Sequence, residues 1–179
     1  MKTLITGFGP FGKIAENPSS ILAPHFGRDH EILEVNFKGV DEFVRSISRS
    51  AEYDRIVCLG VAGKSKQIRL ELFGRNVVGP TKDVRGERWK SRAIDPDAPP
   101  ALASTLLDAD TFWDHAETGS NEVVLSTDAG GYLCNFILYR LLTEYPGKVG
   151  FIHIPPFESM SPERQYQAIL KVILQAEEV

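Results

Sequence analysis

Three side chains stand out by type and by setting: Cys134, His153 and Glu71. Cys134 follows the small-residue turn Ala129-Gly130-Gly131, where a strand-like run (EVVLS, 122–126) gives way to a helical stretch over 132–144. A thiol in the first turn of a helix feels the positive end of the helix dipole and free N–H groups, which favour a thiolate. The same amides can hold an oxyanion once that thiolate has attacked a carbonyl. The competing reading is a buried structural cysteine, because free cysteine is among the most buried residue types. Cys58, inside Ile56-Val57-Cys58-Leu59, has no such setting and reads as core.

A cysteine nucleophile needs a base, and an imidazole normally serves. Of the four histidines, His25, His30 and His115 lie in loop or polar surroundings and are expected to face solvent. His153 ends the apolar run Gly150-Phe151-Ile152-His153-Ile154, just before Pro155-Pro156. Reactive groups of open α/β sheets collect at the carboxyl ends of strands, which is where His153 and the turn before Cys134 both fall. A core histidine is the alternative. A third group would orient the imidazole. Glu71 is the one acid in Ile68-Arg69-Leu70-Glu71-Leu72-Phe73, and a period of two puts it on a face shared with Arg69. It could instead be an exposed carboxylate paired with Arg69 or Arg75. The spacing of cysteines, histidines and acids suggests no metal site.

The elements that must carry these groups alternate between strand-like and helix-like stretches. Strands are expected at 2–6, 31–37, 55–60, 122–126 and 148–154, with an extended ribbon over 67–78. Helices are expected at 18–24, 41–51, 101–118, 132–144 and 162–177. The last is started by Ser161 as N-cap and Pro162 at its first position. Residues 79–100 carry several prolines and glycines and read as a long loop. This alternation predicts one domain over 1–179, a three-layer α/β/α sandwich around a largely parallel, mixed sheet.

Composition narrows the function classes. The 179 residues are 42% hydrophobic and 25% charged, with a net charge of −4, ordinary for a globular protein. That charge gives no support for nucleic-acid binding, which requires a basic face. No apolar run is long enough to span a bilayer, and no signal peptide is visible. Two cysteines in unlike surroundings read as reduced thiols, so a cytoplasmic protein is expected.

The stretch GFGPFG at 7–12 follows the first strand and has the glycine spacing of a dinucleotide-binding turn, with Glu34 further on where an acid could hold a ribose. Pro10, however, removes a phosphate-facing N–H. Phe8 and Phe11 crowd the turn, and no helix starts until Asn17-Pro18. The segment is better read as a long loop displaying two aromatic rings, or packing them onto the core.

Four blocks, in order along most of the chain, resemble the pyroglutamyl peptidase I family of cysteine peptidases. They are Thr6–Gly12 with Asn17-Pro18-Ser19, Gly60–Gly63 followed by Ile68, Glu71 and Asn76, Ala129–Asn135, and Gly150–Pro155. The resemblance implies an omega peptidase that needs no cofactor and acts on peptides with an N-terminal pyroglutamate. Cys134 would be nucleophile, His153 general base and acid, and Glu71 its orienting partner. Phe8 and Phe11 would line the pocket for the pyrrolidone ring, and Asn17 would bond its lactam. Val61, Tyr132 and Leu133 would complete the substrate-binding surface. The family's α/β/α fold often assembles as tetramers, so a homotetramer or homodimer is implied. Val61 stands where the family usually has glutamine, and Asp128 where it commonly has a neutral residue. A carboxylate near Cys134 would oppose thiolate formation. Those two departures keep open a silent small-molecule-binding relative, and the stretch Val77–Trp89, which replaces the family's usual sequence after the glutamate block, keeps open a related cysteine amidase for another small acyl or lactam group.

Overall fold

Buried strands need apolar runs without breaks, and the chain supplies them in short lengths. In the computed structural model, which describes residues 1–108, 110–112 and 122–178, those runs form strands β1 (Thr3–Phe8), β2 (Asp29–Leu33), β3 (Arg55–Val61), β4 (Ile68–Glu71), β7 (Val123–Ser126) and β8 (Lys148–Ile154). They build one six-stranded sheet in the order β2-β1-β3-β8-β4-β7. All neighbours are parallel except β4 and β8, which run antiparallel. Two short strands, β5 (Phe73–Arg75) and β6 (Ala101–Ala103), pair separately.

Helices cover both faces. On one side α2 (Phe37–Ser50) and α3 (Leu133–Glu144) pack a core with Leu4, Cys58 and Phe151. On the other, α1 (Pro18–Leu22) and α4 (Pro162–Glu178) pack against Ile5, Val57, Leu59 and Ile152. The alternation of Val57, Cys58 and Leu59 between the two cores is the period of two expected of a strand covered on both faces. Among the described residues, no helix is long and apolar enough to cross a membrane.

Three expected elements come out differently. The strand expected at 31–37 stops at Leu33, because Asn36 caps α2: its Oδ1 accepts from Gly39 N–H at 2.6 Å. Asp83, far along the chain, accepts from Phe37 N–H at 3.0 Å and extends that cap, so tertiary contact overrides the apolar run. The ribbon at 67–78 breaks at Leu72, with β4 in the main sheet and β5 outside it. The helix expected from 101 begins instead as strand β6, since residues 101–103 pair with β5. Residues 110–112 are helical, and 113–118 of that expected helix, with His115, lie outside the described residues. His25 and His30 are exposed, as expected, although His30 sits in β2 rather than in a loop.

The loop over 79–100 has no regular element but is tied down. Asp83 also accepts from Arg85 and Glu87 N–H, both at 2.9 Å. Asn76 donates to the carbonyls of Asp95 and Ala98, and Trp89 packs edge-on to Phe136 at 4.6 Å between ring centroids. The loop thus roofs the core between α2 and α3.

Candidate active site

The turn from β7 to α3 sets the cysteine. Gly130 has φ +86, a left-handed conformation that favours glycine, and it lets the chain double back into α3. Tyr132 takes the N-cap position with extended backbone and no side-chain cap bond. First-turn amides, those of Leu133 and Cys134 among them, are therefore left for an outside acceptor. Asn135, fully buried, holds the helix start in place. Its Oδ1 accepts from Arg75 N–H at 2.8 Å, and its Nδ2 donates to the carbonyls of Arg75 and Val77.

The sulfur sits over the end of β3. A Cβ built on Gly60 would lie 2.9 Å from Cys134 Sγ and 2.6 Å from Phe151 Cζ. Only glycine leaves that space, so Gly60 is a requirement for the position of the sulfur. Gly60 is in register with His153 on β8, and His153 with Arg69 on β4. The antiparallel insertion of β4 beside β8 brings Glu71 to the imidazole: His153 Nδ1 and Glu71 Oε1 are 2.8 Å apart. Glu71's side chain is fully enclosed and that of His153 only 8% exposed. With Nδ1 committed to Glu71, Nε2 is the nitrogen left for the thiol.

Electrostatics follow from this geometry. Burial alone would lower the His153 pKa, but it is outweighed by the charge and hydrogen bond of Cys134 and by the Glu71 carboxylate, which together hold it at about 9. The imidazole is thus kept protonated beside the sulfur, an arrangement suited to an ion pair. Cys58 is the opposite case. Fully buried, it has its thiol pushed up to about 12 by desolvation, with a hydrogen bond to Thr6 opposing the shift.

Asp128 does not confront the sulfur as a free charge. It is ion-paired with Arg75, and its Oδ1 accepts from Gly130 N–H at 2.8 Å, bracing the turn. Arg69 is a residue the sequence pointed to only as a possible partner of Glu71. Its Nε lies 3.4 Å from Glu71 Oε1, and its Nη2 donates to Ser126 Oγ and, at 2.7 Å, to the Asp128 carbonyl. It ties Glu71 to the turn before Cys134. Gly60 and Asn135 carried no signal of their own in the sequence beyond lying in the four blocks, and Arg75 was marked only as a possible partner of Glu71, whereas it pairs with Asp128.

The first loop lies on the same face of the sheet as Cys134. Phe8 is buried in the core cluster that includes Leu133, and Phe11, Tyr132 and Cys134 pack at the margin of that cluster. These five residues, chosen from the sequence, are therefore gathered on one face of the sheet. Val61, one residue beyond Gly60, is half-buried and in register with Ile154. Asn17 is differently employed from its expected role at the lactam. Its Oδ1 accepts from Ser19 N–H and Ser19 Oγ, and its Nδ2 donates to the Gly9 carbonyl at 3.0 Å. It caps α1 and braces the loop, with one Nδ2 hydrogen left over. α1 begins only at Pro18, so no helix starts inside the glycines at 7–12 as a dinucleotide-binding turn requires; the nucleotide reading of that turn has no structural support.

The chain that carries this cluster has counterparts among known proteins. The sequence model described as pyroglutamyl peptidase matches residues 1–169. The chain belongs to the pyroglutamyl peptidase family. It is 31% identical over 172 residues to the pyrrolidone-carboxylate peptidase of Pyrococcus furiosus, covering 87% of this chain and 81% of that one. It is 27% identical to the human pyroglutamyl-peptidase 1, covering 96% and 87%. The solved pyrrolidone carboxyl peptidase of Thermococcus litoralis superposes with a TM-score of 0.86 at 26% identity, over 99% of this chain and 93% of that one. The family's mixed, mostly parallel sheet between helices is the sandwich expected from the alternating elements. Membership also makes this chain a cysteine peptidase by class, as the cysteine setting suggested.

Proposed function

We propose that this family member removes N-terminal pyroglutamate from peptides, by acyl transfer through a thioester on Cys134. The observation that carries the reading is the His153 Nδ1–Glu71 Oε1 contact of 2.8 Å, made by an imidazole held protonated beside the Cys134 sulfur. The thiolate attacks the pyroglutamyl carbonyl, and the developing oxyanion turns to the first-turn amides of α3. His153 passes its Nε2 proton to the departing amine, which leaves as the free peptide. A water molecule, deprotonated by the now neutral imidazole, then hydrolyses the thioester and releases pyroglutamate. Glu71 keeps the ring in position and supports the imidazolium.

Phe8, Phe11, Tyr132 and Leu133 offer the acyl group an apolar surround. A free N-terminal residue would bring a charged α-amine into it, and burying an unpaired charge is costly. The lactam of pyroglutamate carries no such charge. Assembly as a homotetramer or homodimer and a place in the cytoplasm belong to this reading through the family resemblance. The test is release of a fluorogenic amine from a pyroglutamyl substrate under reducing conditions, with prolyl and acetyl analogues alongside. Hydrolysis confined to the pyroglutamyl compound supports the reading. Turnover of another acyl group in preference to it would make the chain a related amidase instead.

A further inference from the structure

The proposed acyl pocket occupies one face of the sheet, yet the carboxyl edge has a second opening. Phe8 and Leu133 belong to the core cluster of α2 and α3, and Phe11, Tyr132 and Cys134 pack against it. On the opposite side of the same edge, between the first loop and the segment after β8, lies a cleft of about 580 Å³. Ile14, Val61 and Phe157 supply apolar lining, and Lys13, Glu16 and Glu158 bring charge to it. Its volume lies within the range usual for small-ligand pockets.

The cleft reaches β3 one residue beyond Gly60, at Val61. Cys134 Sγ fills the space over Gly60, and Val61, the next residue, lines the cleft. Successive strand residues are only ~3.3 Å apart and point to opposite faces. The sulfur and the cleft thus flank the same end of β3 on opposite faces of the sheet. The substituents of a tetrahedral centre diverge, so with the ring on the α3 face the leaving amine is directed across the edge. Ile14, Val61 and Phe157 are each half-buried, with apolar surface still open to the cleft.

We propose that this cleft receives the second residue of the substrate and selects for a bulky apolar side chain there. The inference rests on the function proposed above. An apolar side chain would cover Val61 and Phe157 and remove their surface from water. An acidic one would meet Glu16 and Glu158, which outnumber Lys13 among the charged lining residues.

The experiment compares kcat/KM for pyroglutamyl amide, pGlu-Gly, pGlu-Leu, pGlu-Phe and pGlu-Asp with the unaltered protein. The expected order places pGlu-Leu and pGlu-Phe about tenfold above pGlu-Gly, within the range for added apolar groups in a pocket, with pGlu-Asp lowest. Phe157→Ala is expected to shrink the pGlu-Leu to pGlu-Gly ratio severalfold, mainly through KM. A ratio is insensitive to the fraction of protein folded. Equal values for Gly, Leu and Asp, with the amide still hydrolysed, overturn the cleft assignment and leave the peptidase reading standing. No hydrolysis of any pyroglutamyl compound overturns both.

Discussion

Cys58 and Cys134 lie so close that the charge of one raises the pKa of the other, and both touch the core shared by α2 and α3. Their chemistry differs because their backbones do. Cys58 sits mid-strand in β3, where its amide and carbonyl belong to the sheet and every neighbour is packed against it. Cys134 sits in the first turn of α3, where amides remain free and one side of the sulfur opens toward His153. The comparison teaches that reactivity here is a property of the element's end. Identical thiols on the same face become a packed filler and the proposed nucleophile according to whether the backbone around them is satisfied.

The widest separation is expected from deleting each sulfur. Cys134→Ala should lower kcat/KM by roughly 10⁴-fold or more, and adding His153→Ala should cost little further, because nucleophile and base act as a unit. Glu71→Gln keeps the size of the side chain but loses the charge, and a fall of roughly 10²–10³-fold is expected from the misoriented imidazole; steady-state kinetics decide both.

The pH profile sharpens the contrast. His153 is held at about 9, above the ordinary value of 6.5, so it stays protonated until the pH rises through that value. The alkaline limb of kcat/KM should therefore fall near 9, and a limb near 6.5 would contradict the ion pair. In Glu71→Gln a group that raises the His153 pKa is gone, so that limb should move to lower pH.

Gly60→Ala attacks the geometry around the sulfur without removing a reacting group. The added methyl meets Phe151 and Cys134 Sγ below 3 Å, so overpacking of about 1–3 kcal/mol is expected in chemical unfolding, together with a clear loss of activity. The smallest effect belongs to Cys58→Ala. It should retain turnover and lose about 1 kcal/mol of stability by the same unfolding assay. Iodoacetamide should label Cys134 alone in the folded protein, since the Cys58 thiol is buried and pushed up to about 12.

Much of this site was legible along the chain because its signals are local. A Gly-Gly turn between a strand and a helix places a cysteine at a helix start whatever surrounds it. A period of two puts Arg69 and Glu71 on one face, and an apolar run ending in Pro155-Pro156 puts His153 at a strand's carboxyl end. The helix start at Asn17-Pro18 was legible as well. Where expectations slipped, a distant partner had decided the outcome. Asp83 helps start α2 inside an expected strand, and β5 recruits 101–103 out of an expected helix.

The sequence by itself determined the types of the reacting groups, the elements that bear them and the faces they occupy, because periodicity, caps and turns are set by neighbours within a few residues. Only the tertiary structure decided that β4 runs antiparallel beside β8, joining Glu71 to a histidine 82 residues away. It alone paired Asp128 with Arg75, turned Asn17 inward to brace a loop, and reserved the space over Gly60 for a sulfur. Those choices depend on which strands and loops become neighbours, and that follows from burying both faces of the whole sheet together.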